Sequence, residues 1–102
     1  MAFVYVTEYS QLGMYENTQI PLDPPIADYQ VAVGASSASG PAFNKATRFV
    51  RLHCDATSPA SILIGPLTAT VATTNQRMAA NQTEYHGVPQ NAGYCVLVIQ
   101  NT

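Results

Sequence analysis

Tryptophan is absent from the 102-residue chain, cysteine occurs twice, and the only basic residues are Lys45, Arg48, Arg51 and Arg77. Each scarcity removes a class of function. Nucleic-acid binders neutralise phosphates with clustered Lys and Arg, whereas here four scattered cations face six acids, for a net charge of -2. Direct nucleic-acid contact would need a ring of copies to gather enough arginines, so no nucleic-acid partner is expected. Cys54 and Cys95 each sit inside an apolar run without a CxxC or Cys/His spacing, which argues against zinc. Buried free thiols are the default, with a disulfide between neighbouring strands as the alternative. The opening MAFVYVTEYS has no basic segment followed by a long apolar stretch, so cytoplasmic synthesis is expected. No uninterrupted hydrophobic run approaches the roughly 20 residues of a membrane helix, and no membrane partner is expected. GxGxxG, GxxxxGK and HExxH patterns are also missing.

What remains is a short chain, 47% hydrophobic and only 10% charged. One domain is its upper limit. Size scaling gives roughly 5600 Å² of folded surface against roughly 16000 Å² unfolded, enough burial for one modest core. With roughly 6000 Å² of that burial apolar, the gain is about 150 kcal/mol, nearly cancelled by an ordering cost of about 1.5 kcal/mol per residue. Few charges leave much of the outside to Thr, Ser, Asn, Gln and Ala, below the charged share of a typical soluble surface. Part of that surface suits a partner.

The pattern is β throughout. Ala2 to Thr7 alternates, with Phe3 and Tyr5 on one side and Val4 and Val6 on the other. Gln11 to Pro25 carries Gly13, Pro21, Pro24 and Pro25, which predicts an extended arm or loop without regular pairing. Its Leu12, Met14, Ile20 and Leu22 would then lie on the core or on a neighbouring molecule. Tyr29 to Val33 reads as a strand, followed by a small polar loop from Ala35 to Pro41. In Thr47 to Cys54 the alternation is clearest: Val50, Leu52 and Cys54 face one way, Arg51 and His53 the other. A turn over Asp55 to Pro59 leads to a strand from Ala60 to Ile64. Thr68 to Thr74 is a weak strand or a surface excursion, and Gln76 to Met78 and Thr83 to Val88 resume strands. Tyr94 to Ile99 is apolar on both faces, which places it centrally in a sheet or across an interface. No segment sustains a helical stripe. The expectation is an all-β fold, a small antiparallel β-sandwich, jelly-roll-like. Residues 1–27 form an N-terminal strand and extended proline-containing arm, and residues 28–102 form the sandwich.

Chemistry-bearing residues are few. His53 with Asp55, and Glu84 with His86, alternate onto one side of extended segments, a spacing from which a metal site or an acid/base pair can be built. Polar residues two apart are equally what any half-exposed strand displays, so neither a metal nor catalysis is expected. Cys95 with His53 or His86 would need an orienting group and a cleft to act as a nucleophile. The six tyrosines, Tyr5, Tyr9, Tyr15, Tyr29, Tyr85 and Tyr94, could form a sugar-stacking platform, although their scatter favours packing and interfaces. Arg48, Arg51 and Arg77 could clamp partner carboxylates, or simply be solvated.

The stretches Thr47 to Asp55, Ala60 to Pro66 with Thr68-Ala69-Thr70, Arg77 to Pro89, and Gly93 to Ile99 resemble a group of small structural proteins of tailed bacteriophage virions. The resemblance covers about half of the chain, and the segment before Thr47 departs from its pattern. It implies a non-enzymatic β-sandwich that decorates, cements or connects the virion shell. No catalytic or cofactor-binding residue carries over. The implied partners are the major capsid protein and copies of the chain itself, in a symmetric assembly on the capsid surface. A head-to-tail connector or tail component is the second reading, and a carbohydrate-binding or host-surface module the third. The candidate interface comprises Phe3, Tyr5, Tyr9, Leu12, Met14, Tyr15, Ile20 and Leu22 from the N-terminal segment, with Arg48 and Arg51.

Overall fold

The computed structural model describes residues 2–55 and 59–101. Its strands are β1 (Ala2–Tyr9), β2 (Leu12–Tyr15), β3 (Thr18–Pro21), β4 (Ala27–Val33), β5 (Ala38–Ser39), β6 (Phe49–Cys54), β7 (Ala60–Pro66), β8 (Arg77–Met78), β9 (Thr83–Gly87) and β10 (Tyr94–Gln100). They form one sheet in the order β4-β1-β6-β9, a second in the order β5-β10-β7-β8, and a separate hairpin of β2 and β3. Every pairing is antiparallel. The result is an all-β, sandwich-like domain. Its surface of 5673 Å² matches the size-scaling value. The turn expected over Asp55 to Pro59 lies partly outside the described residues.

The period-2 alternation builds the core. Val4 stands between Val31 on β4 and Cys54 on β6, and Val6 stands beside Leu52. All five point inward, where Ile62, Met78, Val96 and Val98 of the opposite sheet meet them. Placed between β5 and β7, β10 is apolar on both faces because both are covered. Its Val96 and Val98 enter the main core, while Cys95 and Leu97 pack outward with Val71 against Leu63, Ala69 and Ile99. Thr68 to Thr74 is therefore a covering loop. It is fastened by the Val71 amide donating to Ser37 Oγ (3.1 Å) and the Ser61 hydroxyl donating to the Thr73 carbonyl (3.2 Å).

Two expectations change. The arm over Gln11 to Pro25 is instead a hairpin from Leu12 to Pro21, with Leu12 opposite Pro21 and a turn at Glu16 and Asn17. Proline is tolerated there because Pro21 ends an edge strand, where a missing N–H breaks no ladder. Gly13 allows the pairing to pack: a Cβ at that position would stand 3.1 Å from Leu22 Cδ1. The second change concerns β1. Rather than preceding a sandwich that begins at residue 28, it is an interior strand bonded to β4 on one side and β6 on the other. Val4 and Val6 belong to the main core.

The chain crosses between the sheets after β4, β5, β6, β8 and β9, and stays in one sheet from β1 to β4 and from β7 to β8. Its ends meet: Ala2 pairs with Val33, and the Gln100 amide donates to the carbonyl of the adjacent Gly34 (2.9 Å). Beyond β5 the chain continues along β10, with the Gly40 amide bonded to Val96 O and the Phe43 amide to Tyr94 O. Gly40 is buried there, and a Cβ would sit 3.0 Å from Val31 Cγ2 and 3.2 Å from Tyr29 Cε2. Gly40→Ala is therefore expected to lower stability by about 1–3 kcal/mol through overpacking, measurable as a shift in urea midpoint.

Candidate functional site

Hairpin β2–β3 and the residue that follows it carry four of the large exposed apolar side chains among the described residues, the others being Tyr5, Leu67 and Tyr85. Leu12 and Met14 lie on one of its faces, and Ile20 and Leu22 on the other, a division set by the register Leu12–Pro21, Gly13–Ile20, Met14–Gln19. All four are exposed, Met14 to 64%. The side chain of Tyr15 lies outside the described part of the structure. Two-stranded ribbons gain little stability alone; here the Leu22 amide donates to Gln11 O (3.2 Å) as one more rung, and the Ile26 amide donates to Glu8 O (2.8 Å) where the β1–β4 pairing begins. Between the Leu12 face and the sheet runs a groove of about 470 Å³, lined by Leu12, Gln19, Pro21, Phe49, Tyr85 and Gly87 with His86.

Part of the outer face of the first sheet is also exposed. Because β1 alternates, Phe3, Tyr5, Thr7 and Tyr9 point away from the core, and register aligns Gln30–Tyr5–His53 and Asp28–Thr7–Arg51 into transverse rows. Phe3 meets Tyr5 at a centroid separation of 6.3 Å. Tyr9 differs from the others: it is only 8% exposed and stacks on Phe49 at 5.1 Å with planes 11° apart. Burial, and after it the carboxylate of Asp23, raises the Tyr9 pKa. Arg51 stands in the second row, half-buried, and Arg48 is exposed at the start of β6. The structure thus places Leu12, Met14, Ile20 and Leu22 on one projecting element, and Phe3, Tyr5 and Arg51 on an adjacent sheet face. Tyr9 belongs to the monomer's own packing.

The two acid–histidine pairs are kept apart. His53 is paired with Thr83 and Val50 with His86, so His53 points outward while Glu84 and His86 point to the core side at the open edge. His53 Nδ1 lies 2.7 Å from Thr83 Oγ1. Glu84 accepts from Gln76 Nε2 (2.8 Å) and Gln82 Nε2 (2.7 Å), and its Oε1 lies 3.0 Å from His86 Nε2. That network staples β9 to the segment before β8. Among the described residues no group of three or more His, Cys, Asp or Glu side chains is arranged to hold a metal. Cys54 lies in the core between the sheets and Cys95 on the outer side of the second sheet. Both are buried, and desolvation is the first cause raising both thiol pKa values, which disfavours the nucleophilic thiolate.

Sequence reasoning missed one buried acid. Glu8 follows Val4 and Val6 on the inward side of β1 and is 2% exposed. Its Oε1 accepts from Thr47 Oγ1 (2.6 Å) and from the Asn44 amide (2.9 Å), which fixes the segment leading into β6. The Tyr29 hydroxyl is buried near the same carboxylate without a hydrogen bond of good geometry to a described residue. Burial, and after it the interaction with Glu8, pushes the Tyr29 pKa above the ordinary tyrosine value. Inward parity beside two valines was the available signal. Against known proteins, no family model, no curated protein and no solved structure matches this chain.

Proposed function

We propose that this chain is a non-enzymatic structural protein of a tailed-phage virion, with a jelly-roll fold, that binds the capsid surface and bridges neighbouring coat subunits through hairpin β2–β3. The observation that carries the reading is the hairpin itself: Leu12, Met14, Ile20 and Leu22 are exposed on both faces of an element projecting from a finished sandwich. Apolar groups in that position add nothing to the monomer's core and gain when a neighbour covers them. Symmetry then repeats a modest contact on every copy. The groove beside Phe49 and Tyr85 gives a bridging segment of coat protein a second apolar wall. Copies of the chain itself are the other implied neighbours.

The strand order supports the jelly-roll reading. Without the hairpin, eight strands remain, four in each sheet. A jelly roll also has eight strands in two sheets, and its last strand lies between its first and third. Here β1 occupies that place, between β4 and β6, and the remaining crossings follow the same path. On this reading the chain is a jelly roll whose last strand has moved to the front, with the hairpin inserted at the join.

Changing Leu12, Met14, Ile20 and Leu22 together to serine tests the docking. The residues are exposed, so the isolated variant should keep its fold and melt close to the parent. Its occupancy on purified virions, measured by quantitative mass spectrometry, should fall on the order of a hundredfold, equivalent to losing about 3 kcal/mol at the contact. Full occupancy would remove the hairpin from the interface, and absence of the unaltered protein from virions would end the virion reading.

A further inference from the structure

The two sheets differ in what covers their outer faces. Residues 67–75 roof the second sheet, burying Val71 over Cys95 and Leu97. On the first sheet the hairpin lies only toward Phe49 and Tyr85, and among the described residues a shallow depression of about 470 Å³ lies open elsewhere on that face, lined by Tyr5, Thr7, Asp28, Gln30, Arg51 and His53 among others. The floor is rigid because β1 is hydrogen-bonded along both edges.

The lining has a specific chemistry. Tyr5 stands at the centre, 43% exposed, and presents an aromatic ring flanked on one strand by Gln30 and on the other by His53. The next row adds Asp28, Thr7 and Arg51. Among the described residues, the side chains of Asp28, Gln30 and Arg51 form no hydrogen bond or ion pair with the protein. That contrasts with Glu8 and Glu84, whose carboxylates are engaged internally. His53 is held by Thr83 through Nδ1, which orients its ring and leaves Nε2 as its other polar atom. A carboxylate, an amide, a guanidinium, a hydroxyl and an imidazole thus lie beside one aromatic ring or in the row next to it, with Phe3 on its other side, offering donors and acceptors together. Asp28 and Arg51 balance in charge, so the depression has no excess of cations to select a polyanion.

We infer that this face binds a neutral pyranose unit of a glycan, with Tyr5 as the stacking platform and Asp28, Gln30, Arg51 and His53 as hydroxyl-reading groups. A pyranose pairs a C–H face with a rim of vicinal hydroxyls, which matches an aromatic ring bordered by bidentate polar groups. The site is distinct from the hairpin and does not depend on the virion reading. A chain docked through the hairpin keeps its own second surface for a sugar.

The test uses the full chain in solution. Its ¹H–¹⁵N NMR spectrum is followed while the methyl pyranosides of glucose, galactose, mannose and N-acetylglucosamine are added in turn up to high millimolar concentration. At least one should give saturable shifts centred on the amides of Tyr5, Gln30, Arg51 and His53. Tyr5→Ala, which changes an exposed side chain, should weaken that binding about tenfold or more, with the spectrum otherwise preserved. Tyr5→Phe should retain most of it, and Asp28→Asn should weaken it. The inference is overturned by saturable shifts from none of the four sugars, by shifts centred elsewhere, or by unchanged binding in Tyr5→Ala. Shifts at these amides that follow protein concentration without sugar would also overturn it, because they would assign the face to a second copy.

Discussion

Glu8→Ala is expected to destabilise the fold by about 3–5 kcal/mol, since charge-assisted hydrogen bonds are worth about 1.5–3 kcal/mol each and stranded buried groups cost about 1–3 kcal/mol. The substitution leaves the Asn44 amide and the Thr47 hydroxyl without their acceptor. It also opens a void beside Tyr29, whose hydroxyl already lacks a well-formed bond to a described residue. At about 4–8 °C per kcal/mol for a domain of this size, the thermal midpoint should fall far enough to read by circular dichroism. Glu8→Gln keeps a carbonyl acceptor in the same place and should cost about half as much. Tyr29→Phe should be nearly neutral, because it deletes a hydroxyl that gains little from its surroundings. A Glu8→Ala variant that melts within a degree or two of the parent would show that the carboxylate does not hold the Asn44–Thr47 segment.

Glu8 also marks the limit of what the pattern conveys. Alternation in β1 and β6 separated inward from outward residues correctly: Val4, Val6, Val50, Leu52 and Cys54 are buried, and Phe3, Tyr5, Arg51 and His53 point away from the core. Period 2 depends only on backbone geometry, so it survives any tertiary arrangement. The same parity puts Glu8 inside, but its partners Asn44 and Thr47 are distant in sequence, and no local pattern joins them. The hairpin was obscured for a different reason. Prolines at 21, 24 and 25 suggested an unpaired track, whereas only Pro21 enters a strand, at its end. The rows Gln30–Tyr5–His53 and Asp28–Thr7–Arg51 were illegible because each joins three strands, and a transverse row exists only once strand order and register are known. For the same reason the His53–Asp55 and Glu84–His86 spacings could not reveal that His53 and the second pair face opposite sides of one sheet.

The largest loss of stability is expected from deleting residues 1–27, a cut that on the sequence pattern removes only a strand and an arm. In the fold that deletion takes out β1, the strand that joins β4 to β6, and with it Val4 and Val6 from the core. The remaining strands of the first sheet would be left with unpaired edges and an unfilled interior, and folding should be abolished, seen as loss of chemical-shift dispersion. A rearranged chain with the same strands should behave oppositely. Ala2 and Gln100 both lie against Val33 and Gly34, so a linker of about six glycine and serine residues, reaching about 20 Å when extended, is ample to join the ends. New termini then fall between Glu16 and Asn17, at the exposed turn of the hairpin, a kind of site that tolerates opening. In this permutant β1 follows β10 and becomes the last full strand of the sandwich, as in the conventional order of the proposed jelly roll. It should fold cooperatively, with ¹H–¹⁵N shifts matching the parent outside the hairpin and linker. Failure of the permutant to fold would count against the closeness of the ends, and survival of the truncation would remove β1 from the core. Folding of the permutant alongside collapse of the truncation would show that β1 is required by its position in the sheet and not by its position in the chain.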